Sequence, residues 1–355
     1  MAGCPMLINH LLPCGALTNT GSAFWQMISQ QEKIKLLHFM RFVRLFDRRM
    51  VLWQRQGKIG TYAPVEGQEA SQIGSALALN KLDWIFPSYR EQGVAFTLGI
   101  PTTSIIQYWS GHIEGCKPPI GYRYVPPTVP IATQLPHAVG AAWSIKKRKE
   151  DAIAIAYFGD GATSEGDFHE ALNFAGVFHL PVLFFCQNNG YAISVPFEKQ
   201  SATKSVVDRA KAYEIDEYQV DGNDILAVYD VIKNARKKKR PALIEAMTYR
   251  TGAHTTADDA SRYRCEEEVR VWLNRDPLYR YEQLCIKEGL LDEEQLTKED
   301  EKMAIHLDQS MKEVEQKTPN LPSGLFNHVY YQLPNWLEKQ QEEASEDVNN
   351  GSVHC

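Results

Sequence analysis

Two polar motifs follow apolar runs that are each long enough for a β-strand. The motif Gly-Asp-Gly at 159–161 follows residues 152–158, and Asn-Asn at 188–189 follows residues 181–186. Because ligands of open parallel sheets lie outside the carboxyl ends of the strands, we expect both motifs to border one crevice. Asp160 offers a carboxylate and Asn189 an amide oxygen, and Mg²⁺ binds such oxygens together with phosphate oxygens and water. Since glycines also let the backbone approach an anion closely, the motifs predict a Mg²⁺ site that holds a diphosphate.

The segments around these motifs alternate between strand patterns and helix patterns. Residues 165–177 lie between the two apolar runs and carry apolar side chains at helical spacing, and the alternation continues through residues 220–246. Strands separated by helices of this length indicate a parallel sheet with helices on both faces. The predicted fold class is therefore α/β, with a mostly parallel sheet flanked by helices.

The rest of the chain is predicted to be mainly helical. Apolar spacing predicts helices over residues 31–56 and 66–78. An amphipathic stripe predicts one further helix with a buried face, formed by Leu296, Met303, Leu307, Met311 and Val314. We predict an irregular N-terminal arm at 1–30, a cofactor-binding α/β domain at 31–275, a helical C-terminal region at 276–339 packed on that domain, and a mobile acidic tail at 340–355.

Composition excludes several classes of protein. The formal net charge is -6, from 38 basic and 44 acidic side chains that are spread along the chain, so no basic field for nucleic acid exists. No apolar stretch is long enough to span a membrane, and residues 1–22 do not resemble an export signal. The seven cysteines are scattered without a Cys-x-x-Cys pair, which is typical of reduced thiols. A cytoplasmic protein without a membrane or nucleic-acid partner is expected.

The two motifs have two other interpretations besides a diphosphate site. The first is a pair of ordinary turns without a ligand, which is common for Asn-Asn-Gly alone but less expected for both motifs together. The second is a dinucleotide-binding turn. The glycines stand at 159, 161 and 166, which is not the Gly-x-Gly-x-x-Gly spacing, and the next strand lacks the acid expected for a ribose. A diphosphate held through a cation fits better.

The chain resembles a known family over most of its length. The segment GDGATSEGDFHEALNFAGVFHLPVLFFCQNNGYAISVP is similar to the diphosphate motif of thiamine-dependent enzymes, and in particular to the alpha subunit of the E1 component of 2-oxo acid dehydrogenases. The similarity extends from about residue 34 to about residue 339. The resemblance implies a thiamine diphosphate-binding fold and decarboxylation of a 2-oxo acid, such as pyruvate or a branched-chain acid.

The resemblance also implies which residues bind the cofactor. Asp160, the side chain of Asn189 and the backbone oxygen of Tyr191 correspond to the Mg²⁺ ligands. The remaining cofactor contacts that it implies are Tyr89, Arg90, Ile131, Gly159, Gly161, Ala162 and His254. It also implies a K⁺ site at a loop that contains Thr128, Pro130, Thr133 and Gln134.

The predicted catalytic residues lie in the segment YRTGAHTTADDASRYR. His254 matches the family histidine beside the thiazolium ring, and a histidine can exchange a proton near neutral pH. Without the resemblance, His254 would be taken for a hydrogen-bonded loop histidine. Tyr263 and Arg264 match residues that order this segment, together with Asp258. Position 255 is Thr where mitochondrial relatives carry a phosphorylated Ser, so control by a kinase is not expected.

The resemblance further implies that the chain works in an assembly. An E1 beta subunit should complete an alpha2-beta2 heterotetramer, and a lipoyl-bearing E2 acyltransferase should accept the acyl group. We predict pyruvate as the substrate, from the segments GTYAPVEGQEASQIGSALAL and SGHIEGCKPP. The alternatives are a branched-chain 2-oxo acid, an acetoin-cleaving enzyme of the same type, and a subunit that binds cofactor without catalysis.

Overall fold

A five-stranded parallel sheet forms the centre of the protein. The computed structural model describes residues 6–317, 323–326 and 329–349. In chain order the strands are β1 (Trp84–Phe86), β2 (Ala154–Gly159), β3 (Val182–Asn188), β4 (Tyr191–Ala192), β5 (Val195–Pro196), β6 (Asp216–Asp221) and β7 (Ala242–Met247). The sheet has the order β1-β2-β3-β7-β6 with all neighbours parallel, whereas β4 and β5 form a separate antiparallel ribbon. The predicted α/β class is confirmed.

Helices cover both faces of this sheet. In chain order they are α1 (Asn19–Met27), α2 (Gln30–Arg55), α3 (Glu69–Leu77), α4 (Gln92–Thr97), α5 (Thr102–Trp109), α6 (Gln134–Arg148), α7 (Gly166–Val177), α8 (Phe197–Gln200), α9 (Ile225–Lys238), α10 (Glu266–Leu273), α11 (Pro277–Lys287), α12 (Glu293–Glu315), α13 (Ser323–Phe326) and α14 (Asn335–Asn349). Short 3₁₀ turns occupy Ile113–Cys116, Asp160–Ser164, Val207–Tyr213 and Ala260–Arg262.

The central strand β3 shows why the sheet is buried on both faces. All of its residues are buried, and successive side chains point to opposite sides. Leu183 and Phe185 enter one hydrophobic core with α2, α3 and α9, while Phe184 and Cys186 enter a second core with α6 and α7. A strand that is apolar at every position therefore reflects its two covered faces, as expected for a parallel sheet.

Helix α2 is the longest helix and lies close to its predicted position. It begins after Ser29, whose side chain accepts a hydrogen bond from the Glu32 amide while the Glu32 side chain accepts one from the Ser29 amide. Its buried side chains join the first core. Helix α12 packs against α2 and α5, and the five apolar residues of its predicted stripe are all buried, which confirms that stripe as core.

The two ends of the chain contain helices that the sequence did not predict. The arm at 1–30 was expected to be irregular, but it contains α1 and a bridge from Ile8 to Val220 at the edge of the sheet. Leu11 of the arm is fully buried. Its order comes from packing against β6 and α9, which local periodicity does not reveal. Residues 340–349 of the predicted tail belong to α14, and residues 350–355 lie outside the described residues.

Other predictions can be compared only with the described part of the chain. No helix there is long and apolar enough to cross a membrane. Five of the seven cysteines are described, and these five are free thiols. The division of the chain into four regions stays a prediction.

The core position of Leu307 yields a first test. Leu307→Ala removes a side chain with no exposed area from the contact between α12 and α2, so we expect a loss of about 3 kcal/mol in the free energy of unfolding. Ile305→Ala on the same helix is the matched control, because Ile305 is 59% exposed, and it should cost less than about 0.5 kcal/mol. Denaturant unfolding measures both. Equal losses would contradict the assigned burial of α12.

Candidate active site

One large cavity opens at the carboxyl ends of β2 and β3. Its volume is about 860 Å³. All ten residues that the sequence predicted as cofactor contacts line it, namely Tyr89, Arg90, Ile131, Gly159, Asp160, Gly161, Ala162, Asn189, Tyr191 and His254. The pairing of Gly159 with Gln187 in the sheet places the two polar motifs side by side, which explains how distant segments reach one cavity.

Asp160 is the most unusual group in this cavity. It follows β2 directly, is 1% exposed, and accepts a hydrogen bond at Oδ2 from Gln200 Nε2 at 3.0 Å. Its other oxygen, Oδ1, is buried and has no hydrogen-bond partner among the described residues. Burial raises the pKa of Asp160 to about 6, although hydrogen bonds from Gln200 and from backbone amides, including that of Asn189, oppose the increase. A buried carboxylate oxygen in this state fits a cation ligand.

Asn189 and Tyr191 lie on the turn that follows β3. The amide nitrogen of the Asn189 side chain donates to Gln68 Oε1 at 3.3 Å, so its Oδ1 is the atom left to act as an acceptor. That oxygen accepts the backbone N–H of Tyr191 at 3.3 Å, and a second lone pair is available for a cation. Among the described residues no group of three carboxylate, imidazole or thiolate side chains could bind a metal alone. The donor set therefore suits Mg²⁺, which takes few protein oxygens and completes its shell with phosphate and water.

The glycines of the first motif have different roles. A Cβ atom on Gly161 would lie 2.8 Å from Cβ of Ala192 in β4, so only glycine lets the turn after β2 pack against the ribbon that carries Tyr191. A Cβ on Gly159 would meet no atom closer than 4.0 Å. Gly161 is thus required by close packing, whereas Gly159 leaves open space at the cavity wall.

Three buried glutamines of the cavity were missed by the sequence analysis as a set. Gln68, Gln134 and Gln187 each have one amide atom bound to the protein and the other buried without a partner. Gln187 Nε2 donates to Glu91 Oε1 at 2.8 Å, and Gln134 Nε2 donates to the carbonyl of Tyr157 at 2.7 Å. Such half-satisfied amides are expected where a polar ligand binds. The sequence analysis named Gln134 only in the loop predicted for K⁺, and because glutamine has no distinctive spacing, no pattern marked the three together.

His254 lies between two arginines. Its Nδ1 atom is 3.1 Å from a terminal nitrogen of Arg90 and 2.9 Å from one of Arg250. Since guanidinium groups only donate hydrogen bonds, Nδ1 must accept and the proton of the neutral ring is assigned to Nε2. Burial, together with the charges of Arg90 and Arg250, lowers the pKa of His254 to about 3. The imidazole is therefore neutral at physiological pH and has one N–H to donate.

Arg250 was missed by the sequence analysis, although its charge four residues before His254 was a usable signal. It is 2% exposed and lines the cavity. It donates to the carbonyl of Ile193 at 3.0 Å and to the hydroxyl of Tyr263 at 3.1 Å, in addition to its contact with His254. Arg250 thereby connects the histidine loop to the turn between β4 and β5.

Tyr263 and Arg264 were predicted as catalytic, but they do not line the cavity. The Tyr263 hydroxyl donates to Asp258 Oδ2 at 2.6 Å, and the same oxygen accepts the backbone N–H of His254 at 2.8 Å. Arg264 donates to the carbonyl oxygens of Arg250, Thr251 and Gly252. In this structure both side chains hold the backbone of the histidine loop, and a catalytic role for either stays a prediction.

The loop predicted for K⁺ borders the same cavity. Gln134 lines it, and the Thr133 hydroxyl donates to the carbonyl of Pro130 at 3.1 Å. Thr128 is 3.5 Å from the carbonyl of Pro126 through its hydroxyl. These hydroxyl and carbonyl oxygens are possible ligands for K⁺, but the binding of K⁺ stays a prediction.

Comparisons with known proteins identify the family of the chain. The family described as "Dehydrogenase E1 component" matches residues 38–323. The chain belongs to this family. It is 42% identical over 327 residues to the 3-methyl-2-oxobutanoate dehydrogenase subunit alpha of Mycobacterium tuberculosis strain H37Rv, covering 90% of this chain and 88% of that relative. The predicted membership among E1 alpha subunits of 2-oxo acid dehydrogenases is confirmed.

Two further relatives carry different substrate names. The mitochondrial 2-oxoisovalerate dehydrogenase subunit alpha of Mus musculus is 37% identical over 341 residues, which is 92% of this chain and 77% of that protein. The pyruvate dehydrogenase E1 component subunit alpha of Staphylococcus aureus strain Mu50 is 38% identical over 320 residues, which is 89% of this chain and 86% of that protein. The E1 family depends on thiamine diphosphate.

The state of His254 gives a second test. The pKa of His254 lies below the ordinary 6.5, so the unfolded chain takes up this proton at a higher pH than the folded chain does. The free energy of unfolding should therefore decrease as the pH falls from about 6.5 to about 3. We expect the ¹³Cε1 signal of His254, assigned with His254→Gln, not to titrate between about pH 8 and about pH 5. Arg250→Met should raise the pKa because it removes one neighbouring cation. A midpoint near the ordinary value in the unmodified protein would contradict the geometry.

Proposed function

We propose that this E1 alpha chain binds thiamine diphosphate through Mg²⁺ and decarboxylates a 2-oxo acid in an assembly with an E1 beta subunit. The observation that carries the proposal is the buried, unpartnered Oδ1 atom of Asp160 beside Asn189, in the cavity that also contains His254. An acyl group would then pass to a lipoyl-bearing E2 acyltransferase. Membership in the family supports these partners.

The residues present fit the bound cofactor and metal. When bound, thiamine diphosphate supplies the electron sink for decarboxylation. Asp160, the side-chain oxygen of Asn189 and the backbone oxygen of Tyr191 would hold Mg²⁺, and that charge offsets the diphosphate. Tyr89 and Arg90 are the proposed contacts of the diphosphate itself, since a guanidinium is a strong donor to phosphate oxygens.

His254 is the proposed catalytic residue of this chain. Its neutral ring can donate the Nε2 proton in a hydrogen bond to an oxygen of the substrate. Arg90 and Arg250 hold Nδ1 as an acceptor, so the ring keeps this tautomer and orientation. Tyr263, Arg264 and Asp258 then fix the backbone on which His254 stands.

The metal role of Asp160 can be tested without catalysis. We expect Mg²⁺ and thiamine diphosphate at about 100 times Kd to stabilise the reconstituted assembly by about 2.7 kcal/mol, and Asp160→Asn to remove most of that gain. Asp151→Asn is the control, because Asp151 is an exposed carboxylate, 73% accessible, paired with Lys239 on the surface. Thermal unfolding with and without Mg²⁺ measures the effect. Undiminished stabilisation of the Asp160→Asn assembly would refute the metal assignment. A wild-type assembly that gains no stability would contradict the proposed binding of the cofactor.

The need for a beta subunit has a direct test. The chain alone should show no decarboxylation, whereas coexpression with a beta partner should give an assembly that releases carbon dioxide from a 2-oxo acid. Full activity of the isolated chain would refute the proposed division of the active site.

The substrate is the finer part of the proposal. The sequence analysis predicts pyruvate, and the relative from Staphylococcus aureus bears that name at 38% identity. A branched-chain acid is the second candidate, favoured by the 42% identity to the relative from Mycobacterium tuberculosis. We expect kcat/KM of the reconstituted assembly to be higher for pyruvate than for 3-methyl-2-oxobutanoate, measured as carbon dioxide release. A preference of about tenfold or more for the branched acid would correspond to about 1.4 kcal/mol and would overturn the choice.

A further inference from the structure

A buried carboxylate outside the cavity is connected to the catalytic loop through a short backbone segment. Asp47 of α2 is 2% exposed. It accepts the hydroxyl of Tyr62, the backbone N–H of Val65 at 2.9 Å and the backbone N–H of Glu66 at 2.8 Å. The carboxylate thus binds three donors of residues 62–66, here called the strap.

The opposite edge of the strap is bound to the loop that carries His254. The carbonyl of Tyr62 accepts the N–H of Thr256 at 2.9 Å, and the N–H of Tyr62 donates to the Thr256 hydroxyl at 3.1 Å. The carbonyl of Glu66 accepts the N–H of Thr251 at 3.0 Å and its hydroxyl at 2.9 Å. These contacts bracket His254 on both sides in the chain.

A third carbonyl of the strap binds the arginine that contacts His254. Arg90 donates to the carbonyl of Pro64 at 2.6 Å through one terminal nitrogen, and to the carbonyl of His254 at 2.9 Å through the other. The carbonyls of residues 62, 64 and 66 therefore all accept hydrogen bonds from the histidine loop or from Arg90. Asp47 accepts hydrogen bonds from donors of the same segment. The strap has one edge fixed by Asp47 and the other fixed to the site.

We propose that Asp47 is a positioning residue for catalysis, and that it sets the place of His254 and Arg90 by anchoring the strap. The inference rests on the proposed function for its catalytic consequence, although the anchoring itself does not depend on it. Nothing in the cavity touches Asp47 directly, because it does not line the cavity.

The burial of the Asp47 carboxylate has an electrostatic cost. Burial raises the pKa of Asp47 to about 7, while the hydrogen bonds from Tyr62 and Val65 oppose the increase. A side chain that only filled space would be better apolar, since an apolar group pays no desolvation penalty. The carboxylate is suited instead to bind several backbone donors at once, as at helix ends and turns.

The test compares Asp47→Asn with Asp224→Asn in the assembly with the beta subunit. Asp224 is the matched control, because it is also fully buried and accepts several backbone N–H groups, from His10, Leu11, Leu226 and Ala227. Its contacts lie at the arm and at α9, away from the strap. Asparagine preserves the shape of either carboxylate but can no longer accept at both oxygens.

The first readout is hydrogen exchange of the Thr251 and Thr256 amides, which donate to the strap. We expect Asp47→Asn to accelerate their exchange by about tenfold, and Asp224→Asn to leave it unchanged. In Asp47→Asn, kcat should fall by about tenfold. Stabilisation by Mg²⁺ and thiamine diphosphate should decrease less than in Asp160→Asn, because Arg90 is displaced while the proposed metal ligand Asp160 stays in place. Unchanged exchange in Asp47→Asn, or equal acceleration in both variants, would overturn the inference.

A milder variant covers the case in which Asp47→Asn does not fold. Tyr62→Phe removes one of the three donors and leaves the amides of Val65 and Glu66 in place, so exchange of Thr256 should rise by a few fold. No change there would also overturn the inference. An inactive wild-type assembly would contradict the proposed function instead, and the exchange measurements would still decide the role of Asp47.

Discussion

The active site depends on one electrostatic constraint, the burial of the Asp160 carboxylate at the end of β2. A charge in this position is costly unless a cation compensates it, and the hydrogen bond from Gln200 satisfies only one of its oxygens. The register of β2 and β3 brings the Asn189 turn to the same place, so a second oxygen donor lies beside the first. The strands therefore fix the positions of both oxygens, and the desolvated charge is the basis of the proposed affinity for a metal.

A cluster of two cations, Arg90 and Arg250, surrounds His254 in the cavity wall. Arg90 and Arg250 both direct donors at Nδ1 of His254, and together with burial they keep the imidazole neutral. Two cations next to each other are unfavourable, as shown by the lowered pKa of Arg250, to which Arg90 contributes after burial. An anionic ligand in the cavity would relieve this repulsion. The cavity thus contains oxygen acceptors suited to a cation, at Asp160 and Asn189, and donors suited to an anion, at Arg90 and Arg250.

The fold and part of the site could be predicted from local pattern. The alternation of apolar runs and helical spacing predicted β2, β3 and α7 within a few residues, because a buried parallel strand and its helix each carry a distinctive period. The GDG and NN motifs predicted that Asp160 and Asn189 border one cavity, because both motifs directly follow neighbouring strands of this strand-helix-strand unit. Residues of the strap, the three glutamines and Asp47 could not be predicted in this way. Their contacts join distant parts of the chain, as with Gln68 and Asn189, and they follow only from tertiary packing. Helix α1 was missed for the same reason.

The carboxylates of the cavity are relevant to the proposal that the active site is shared with a beta subunit. Among the described residues that line it, only Glu91, Asp160 and Glu165 carry a carboxylate. Glu91 is buried and accepts hydrogen bonds from Ser88 and Gln187, and Asp160 is the proposed metal ligand. Glu165 is exposed at the start of α7. Among these three carboxylates, Glu91 accepts a hydrogen bond at each oxygen, Asp160 is assigned to the metal in our proposal, and Glu165 is not buried. The resemblance implies that the glutamate which activates the cofactor lies on a beta subunit. The proposed division gives this chain the contacts of the diphosphate and His254, and gives the partner that glutamate.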